Sequence, residues 1–294
     1  MNMLTKLVNR LKSQYYTWDD KNVVFIVSTG RTATKFFSGF FDQNFESVLA
    51  RHEPAPDLFD LGTGFIRGAY SGAAVNASLK YARYGIYKEL ERGNVATYVE
   101  SNNNAALLLP VIKEVFPNLK IAFITRDPRS YLISSYSKVH GVNKQGVNKH
   151  GAQDAGYTLY GAHDPRDRLT AKDFAGDKLG DSWHELRRFE KLCWHWKTYN
   201  QLIQSFIEDA NAHLVLKYED LFRQGDVQAV RRLIDFVGVD RALQPSDTEL
   251  KTLLSRKSNE SAAYQLLPFD QWEAQDKNSF NDILGKDIVR YGYS

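Results

Sequence analysis

The chain has 294 residues, of which 43% are hydrophobic and 25% charged, an ordinary composition for a globular protein. This length suits one large α/β domain, and we predict a single domain over 1–294. The formal net charge is +3, and acidic residues are mixed with basic ones throughout, which favours an anionic small ligand over nucleic acid. The single cysteine, Cys193, excludes an internal disulfide and is typical of a reducing compartment.

The N-terminal segment, residues 1–21, lacks the long apolar core of a secretory signal, and no apolar run elsewhere reaches membrane-spanning length. Apolar residues recur every three or four positions within 3–16, which predicts an amphipathic helix. We expect this helix to pack on the domain, with binding to a membrane surface as the alternative. We therefore expect a cytoplasmic protein.

The first predicted strand, over 23–27, is an apolar and β-branched run of the kind that is buried on both faces. Ser28 and Gly30 interrupt it, and phenylalanines at helical spacing follow: Phe36, Phe37, Phe40 and Phe41. A strand, a tight turn and a helix direct several backbone N–H groups at one place, which attracts an anion. Arg31 and Lys35 add positive charge, so we interpret the turn as a phosphate- or sulfate-binding loop.

This turn is close to the P-loop of nucleotide-binding proteins but departs from it twice. Ala33 stands where a second glycine is expected, and Phe36 follows Lys35 where a Ser or Thr would bind Mg²⁺. The missing metal ligand favours a donor whose transferred group needs no metal. A strand–turn–helix of any α/β protein has the same pattern, so the turn alone leaves a purely structural interpretation open.

The rest of the chain alternates apolar runs with helical periodicity, which predicts an α/β fold with a central parallel sheet of about five strands flanked by helices. Further strands are predicted near 47–50, 95–99, 121–125 and 214–216. Helices are predicted near 76–92, 104–115, 183–209, 226–237, 247–256 and 279–291, with another that begins at Asp127 and Pro128. Residues 54–75 and 140–182 are predicted as long loops, and we expect both to shape the acceptor pocket, with 140–182 as a lid that closes over it.

Charged residues follow several of the predicted strands. Arg31, Glu53, Glu100 and Arg126 each come just after a strand end. Because ligands of parallel sheets bind beyond the carboxyl ends of the strands, we expect the sheet to bring these four side chains to one edge.

A second anion motif begins at Arg126. Ser134 lies about two helical turns beyond the predicted cap, Asp127, and so shares its face of the helix. A guanidinium and a hydroxyl on one face form a compact site for a second phosphate. Alternatively, Arg126 pairs with Asp127 and Ser134 is an ordinary helix-surface residue.

Together the two motifs resemble those of the sulfotransferases that use 3′-phosphoadenosine 5′-phosphosulfate (PAPS). Residues 31–36 match the 5′-phosphosulfate motif of that family, and Arg126, Asp127, Pro128 and Ser134 match its 3′-phosphate motif. Residues 217–221 are similar to a later strand end of the family, and 291–293 resemble tails of its carbohydrate-acting branch. The likeness covers most of 22–293 but leaves 140–182 unmatched.

The resemblance implies that the chain moves a sulfuryl group from PAPS to an acceptor hydroxyl, on a carbohydrate, glycolipid or small molecule, without a metal. Adenosine 3′,5′-bisphosphate would be the product. Arg31 matches the catalytic cation beside the leaving oxygen, while Arg126 and Ser134 would hold the 3′-phosphate. The 5′-phosphosulfate would bind at Gly30, Arg31, Thr32, Ala33, Thr34 and Lys35.

Two carboxylates are candidates for the general base that takes the acceptor's proton. The family places this base after its second strand, often as Glu, or after its third, often as His. We favour Glu53 and keep Glu100 as the alternative, although either one would also neutralise a nearby arginine. Two rival functions stay open, a P-loop kinase and a non-catalytic module that binds a phosphorylated ligand. The sequence indicates neither the acceptor nor the oligomeric state.

Overall fold

The computed structural model describes residues 16–142, 147–148, 153, 155–208, 212–255 and 266–294. The chain divides into two compact units. Unit 1 consists of Met1–Thr125 and Leu202–Arg256, and unit 2 consists of Arg126–Gln201 and Lys257–Ser294. The predicted helix over 3–16 lies outside the described residues, except for its last residue. The single domain over 1–294 stays a prediction.

Unit 1 contains a five-stranded, entirely parallel sheet in the order β2-β3-β1-β4-β5. Its strands are β1 (Asn22–Val27), β2 (Val48–His52), β3 (Thr97–Ser101), β4 (Leu119–Thr125) and β5 (His213–Lys217). The predicted α/β fold with a central parallel sheet flanked by helices is therefore confirmed. Each predicted strand is present, with ends that differ by a few residues.

The central strand β1 is buried along residues 23–27 because side chains cover both faces of the sheet. On one face, Val24 and Ile26 belong to a core that also includes residues of the helices Thr34–Asn44 and Val227–Val237. On the other face, the Phe25 ring lies 5.5 Å from the Phe116 ring, which in turn packs 4.8 Å from the Trp18 ring, centroid to centroid.

The helices of unit 1 are α1 (Thr34–Asn44), α2 (Phe59–Ile66), α3 (Gly72–Gly93), α4 (Leu109–Val115), α7 (Tyr218–Phe222), α8 (Val227–Val237) and α9 (Asp247–Ser255), with a 3₁₀ turn Asn104–Leu108 before α4. Unit 2 contains α5 (Pro128–Tyr136), α10 (Ala274–Arg290) and all but the last turn of α6 (Arg188–Ile207). Among the described residues, no helix is long and apolar enough to cross a membrane.

The prediction of a long loop over 54–75 is wrong for its middle, which forms α2, and for 72–75, which form the start of α3. Two glycines there resemble helix breakers in the sequence, but both lie at close contacts. A Cβ atom on Gly62 would lie 2.9 Å from Leu107 Cβ, and one on Gly64 would lie 2.3 Å from the Tyr70 ring. Leu107 is buried, so Gly62 is required by packing and does not mark a loop, whereas the ring beside Gly64 belongs to Tyr70, which is 46% exposed.

In unit 2, α5 begins as predicted. The Asp127 side chain accepts hydrogen bonds from the backbone N–H groups of Arg129 and Ser130, and Pro128 occupies the first helical position. By contrast, α6 begins at Arg188, so Trp183 precedes the helix in which the sequence had placed it. Cys193 of α6 is completely buried, and this burial raises the pKa of its thiol well above the usual range.

The longest described part of the predicted loop 140–182 is residues 155–182, which contain turns and a 3₁₀ turn at Ala171–Asp173. Side-chain hydrogen bonds fix it within unit 2. Trp194 Nε1 donates to Asp177 Oδ2 at 2.7 Å, and Tyr160 Oη donates to the Leu169 carbonyl at 3.0 Å. Because Leu169 is also fully buried, this segment contributes to the core of unit 2. Its role as an acceptor lid stays a prediction.

Candidate active site

The sheet order places a topological switch point at the carboxyl ends of β1 and β4. From β1 the chain continues to β2 on one side of the sheet, and from β4 it continues to β5 on the other side. Open parallel sheets bind their ligands at such a point. The predicted anion loop, residues 28–33, directly follows β1 and therefore lies at this position.

The loop has an unusual backbone. Gly30, Arg31 and Ala33 all have positive φ values, of 88°, 58° and 61°. Glycine adopts this conformation readily, whereas a residue with a side chain pays an energetic cost. Ala33 therefore occupies the left-handed conformation that a glycine would favour, and the departure from the P-loop pattern did not prevent the tight turn.

Helix α1 starts at this turn with Ala33 as its N-cap residue. An alanine side chain cannot accept a hydrogen bond, so the cap supplies no side-chain acceptor to the first-turn N–H groups. These groups and the helix dipole together favour an anion. Arg31 is half-buried and Lys35 is exposed, and both add positive charge beside the helix start.

A chain of side-chain hydrogen bonds stabilises the loop from inside. Ser28 Oγ accepts hydrogen bonds from the Gly30 backbone N–H at 3.0 Å and from Thr32 Oγ1 at 2.6 Å. Ser28 Oγ in turn donates to Asn103 Oδ1 at 2.7 Å. Thr32 is completely buried, and its hydroxyl proton is used within the loop. The predicted contact of Thr32 with the 5′-phosphosulfate stays a prediction.

Glu53, the favoured base, belongs to the same network. It follows β2 directly, has a φ of 41°, and donates its backbone N–H to the Ser101 carbonyl at 3.1 Å. Its carboxylate accepts a hydrogen bond from Asn103 Nδ2 at 3.2 Å. The side chain is half-buried. Glu53 and the anion loop are therefore connected through one amide side chain.

Glu100, the alternative base, is bound in a buried ion pair. Both Glu100 and Arg83 are completely buried. Arg83 donates to the two carboxylate oxygens from Nε and Nη2, and Tyr98 Oη and Asn102 Nδ2 donate one further hydrogen bond to each oxygen, all at 2.7 Å. Four donors satisfy the four acceptor positions of a carboxylate.

The surroundings of Glu100 show the same charge pairing. Burial by itself lowers the pKa of Arg83, but the Glu100 carboxylate more than compensates and raises it. Burial, followed by repulsion from Glu100, raises the pKa of Tyr98 well above the usual range. These contacts indicate a structural carboxylate, so Glu53 is the candidate carried forward here.

The second predicted motif lies in unit 2. Arg126 is half-buried, and its Nε donates to Ser130 Oγ at 2.9 Å. The Arg126 carbonyl accepts a hydrogen bond from the Trp196 indole at 2.9 Å. Ser134 is buried one helical turn beyond Ser130, on the same face of α5. The guanidinium is therefore oriented by its contacts and shares a helix face with two hydroxyls.

Three residues of these sites were missed by the sequence analysis: Ser28, Asn103 and Ser130. Ser28 follows a strand and Ser130 comes four residues after Arg126, so their positions in the sequence weakly indicated that they contribute to the site. Asn103 gave no distinct signal, since it is the middle one of three consecutive asparagines at 102–104, just where the next helix is predicted to begin. In the structure it is Asn102 that caps this helix, through hydrogen bonds from the N–H groups of Asn104 and Ala105.

With this geometry in place, comparison with known proteins assigns the chain to a family. The model described as "Sulfotransferase family" matches residues 23–243, well over half of the 294 residues. The chain belongs to the sulfotransferase family. The matched region contains the anion loop, Glu53, Glu100, Arg126 and Ser134.

Two mammalian relatives carry the name carbohydrate sulfotransferase 2. The mouse protein is 30% identical over 151 residues and the human protein 29% identical over the same length. In each case the match covers 46% of this chain and 26% of the relative. The chain thus spans about a quarter of the length of these curated relatives.

Solved sulfotransferase structures share the fold. The sulfotransferase domain from the curacin biosynthetic pathway has a TM-score of 0.50 and 14% identity, covering 94% of this chain and 99% of that domain. A sulfotransferase from Mycobacterium avium also has a TM-score of 0.50, with 9% identity over 99% of this chain and 81% of its own. At these identities the similarity establishes the fold alone.

Proposed function

We propose that the protein is a PAPS-dependent sulfotransferase that transfers a sulfuryl group to an acceptor hydroxyl. The observation that supports this most directly is the connection of Glu53, through Asn103, to a left-handed loop that carries Arg31 and opens an uncapped helix. This arrangement combines an anion site with a carboxylate base in the region matched by the family.

The residues of the loop fit the 5′-phosphosulfate of PAPS. The start of α1 offers backbone N–H groups that its cap does not satisfy, and Arg31 and Lys35 supply positive charge. Gly30, Thr32, Ala33 and Thr34 would contribute their backbone to the same cradle. PAPS itself supplies an activated sulfuryl group on a good leaving phosphate.

The chain then supplies a base for the acceptor and positive groups that stabilise the charge of the transition state. Glu53 takes the proton of the acceptor hydroxyl as the acceptor oxygen forms its bond to sulfur. The bond from sulfur to the bridging oxygen breaks, and that oxygen leaves with adenosine 3′,5′-bisphosphate. Arg31 and the N–H groups of the loop stabilise the negative charge that develops on the sulfuryl and bridging oxygens. Because an arginine stays protonated, Arg31 acts by its charge and does not donate a proton.

The 3′-phosphate is assigned to unit 2. Arg126 offers a guanidinium already oriented by Ser130, and Ser134 offers a hydroxyl on the same helix face. Such charge-assisted contacts distinguish adenosine 3′,5′-bisphosphate from nucleotides that lack the 3′-phosphate.

A carbohydrate is the acceptor class that the mammalian relatives support by their name. Glycolipids and small molecules remain within the proposal because those relatives match only part of this chain. The predicted location remains the cytoplasm. We also predict that the reaction needs no metal, since Phe36 replaces the Mg²⁺-binding Ser or Thr of P-loops.

The deciding experiment is calorimetric titration of the purified protein with adenosine 3′,5′-bisphosphate in the presence of EDTA, beside ATP with Mg²⁺. We expect tight binding of adenosine 3′,5′-bisphosphate and no binding of ATP with Mg²⁺. In a second assay, also in EDTA, we expect the protein to transfer ³⁵S from PAPS to a member of a panel of carbohydrates. Binding of ATP with Mg²⁺ alone would support the kinase, and binding of the bisphosphate without any turnover would support a non-catalytic module.

A further inference from the structure

Asn103 connects two parts of the proposed site that lie far apart in the sequence. Its amide oxygen accepts a hydrogen bond from Ser28 Oγ at 2.7 Å, and its amide nitrogen donates to Glu53 Oε1 at 3.2 Å. We propose that Asn103 is a positioning residue that orients the base Glu53 and couples it to the anion loop. This inference rests on the proposed function.

The direction of each hydrogen bond in this network follows from counting donors. Ser28 Oγ accepts from the Gly30 N–H and from the Thr32 hydroxyl, so its single proton goes to Asn103. That proton requires the amide oxygen of Asn103 on the Ser28 side. The amide N–H₂ group is consequently directed at the Glu53 carboxylate, and the network runs as Thr32 to Ser28 to Asn103 to Glu53.

The last donor of this network points at the Glu53 carboxylate. Each donor polarises the next, so the network strengthens the contact that orients this side chain. Since Thr32 and Gly30 belong to the loop, the conformation that binds the anion is also the one that aligns Asn103. The same hydrogen bonds therefore fix the position of the base relative to the loop.

The backbone around Asn103 limits how the amide can move. Asn102 is completely buried and binds both the Glu100 carboxylate and the N–H groups of Asn104 and Ala105. On the other side of the network, the Glu53 N–H is bound to the Ser101 carbonyl while φ is held at 41°. Strained backbone that the surroundings enforce is a recurrent feature of functional sites. Asn103 and Glu53 are thus both anchored by their neighbours.

The substitution Asn103→Asp isolates the contact to Glu53. A carboxylate retains the acceptor for Ser28 Oγ but replaces the donor to Glu53 with a second negative charge. Asn104→Asp is the matched control, because it introduces the same charge one residue along, outside the network. Asn103→Ser replaces the amide N–H₂ donor with a shorter hydroxyl and adds no charge, so the test does not depend on one variant.

For Asn103→Asp and Asn103→Ser, we expect kcat for sulfuryl transfer to fall about tenfold to hundredfold, the usual effect of losing a hydrogen bond to a charged group. The affinity of Asn103→Asp for adenosine 3′,5′-bisphosphate and its melting temperature should stay at the wild-type level, and Asn104→Asp should match the wild type in all three. In a Glu53→Gln background, Asn103→Asp should cost almost nothing further, because a glutamine amide can donate to the new carboxylate.

Two results would overturn the inference while leaving the proposed function intact. One is a wild-type kcat in both Asn103 variants. The other is a fall in kcat on Asn103→Asp that is equally large in the wild-type background and in the Glu53→Gln background. Lack of any sulfuryl transfer by the wild type would instead refute the proposed function and the inference together.

Discussion

At the scale of single residues, the environment decides between two glutamates that the sequence presents alike. The sequence predicted both after a strand end, but only Glu53 directly follows its strand, β2, whereas Glu100 is the fourth residue of β3. Glu100 is completely buried and accepts four hydrogen bonds, whereas Glu53 is half-buried and its one bond described here comes from an amide. The first arrangement stabilises the fold, and the second leaves acceptor capacity for a proton.

This difference predicts opposite effects for the same substitution. Glu53→Gln should lower kcat by about 10²- to 10⁴-fold, the usual contribution of a general base, with an unchanged melting temperature. Glu100→Gln should destabilise the fold by about 3–5 kcal/mol, because it leaves Arg83 charged and buried without its partner. Thermal unfolding and initial rates measured on both variants check this, and a stable, inactive Glu100→Gln would reverse the assignment.

The two arginines of the phosphate motifs are expected to affect different steps. Arg126→Ala should weaken binding of adenosine 3′,5′-bisphosphate about tenfold or more, because a charge-assisted contact is lost. Arg31→Ala should mainly lower kcat, since its charge acts on the leaving oxygen. Calorimetry and initial rates separate the two effects.

Arg129→Ala is the matched control for Arg126→Ala. Arg129 lies in the first turn of α5, three residues after Arg126, where it pairs with Asp127 at 3.2 Å and lies over the Phe269 ring. We expect wild-type affinity for this control. Equal affinities in Arg126→Ala and the wild type would show that the 3′-phosphate binds elsewhere.

At the scale of the elements, tight packing explains why the sequence analysis missed α2. Gly62 lets this helix approach Leu107, which is buried in the 3₁₀ turn before α4. A glycine inside a helix normally costs stability relative to alanine. Here the close approach makes glycine more favourable than alanine. The glycine, which in a sequence is typical of a loop, therefore lies in a packed helix.

A pair of glycine substitutions measures this effect. Gly62→Ala should destabilise the protein by about 1–3 kcal/mol, because the new methyl group overlaps a buried side chain. Gly85→Ala in α3 is the control, since a Cβ there has open space, and it should stabilise by about 0.5–1 kcal/mol. Chemical denaturation of both variants gives the two values. A stabilising Gly62→Ala would refute the packing explanation.

Local signals account for the elements that the sequence predicted well. Residues adjacent in the sequence determine both the apolar run of β1 and the cap of α5, which consists of Asp127 and Pro128. For the candidate site, the sequence identified residues where they form a continuous motif, as in 30–35. The contact between Ser28 and Asn103 joins residues 75 positions apart and depends on the pairing of β1 with β3, so no local pattern contains it.

At the scale of the whole molecule, the two phosphate motifs belong to different units. The loop after β1 lies in unit 1, and Arg126 with Ser134 lies in unit 2. Unit 2 also contains residues 155–182, which lie within the region 23–243 matched by the family model and are fixed by buried residues of their own. We predict that substitutions in 155–182 change acceptor choice and leave nucleotide binding unaffected.

The prediction for this segment concerns the acceptor. Replacing its exposed residues 162, 163, 165 and 167 with alanine or serine should change the KM for the acceptor by a few-fold to about tenfold. Affinity for adenosine 3′,5′-bisphosphate should stay the same. Asp177→Ala is the contrasting variant, because it removes the acceptor of the Trp194 indole and should lower the melting temperature. Loss of nucleotide affinity in the surface variant would refute this division of roles.

The buried thiol of Cys193 has a practical consequence for spectroscopy. As the only cysteine of the chain, fully enclosed in α6 and disfavoured as a thiolate, it should resist maleimide dyes under native conditions. Cysteines introduced at Leu243 in unit 1 and Val289 in unit 2, which are 62% and 73% exposed, would then be the sites that react. Energy transfer between dyes at these positions would report how the two units respond to nucleotide, in a protein whose native cysteine is left in place.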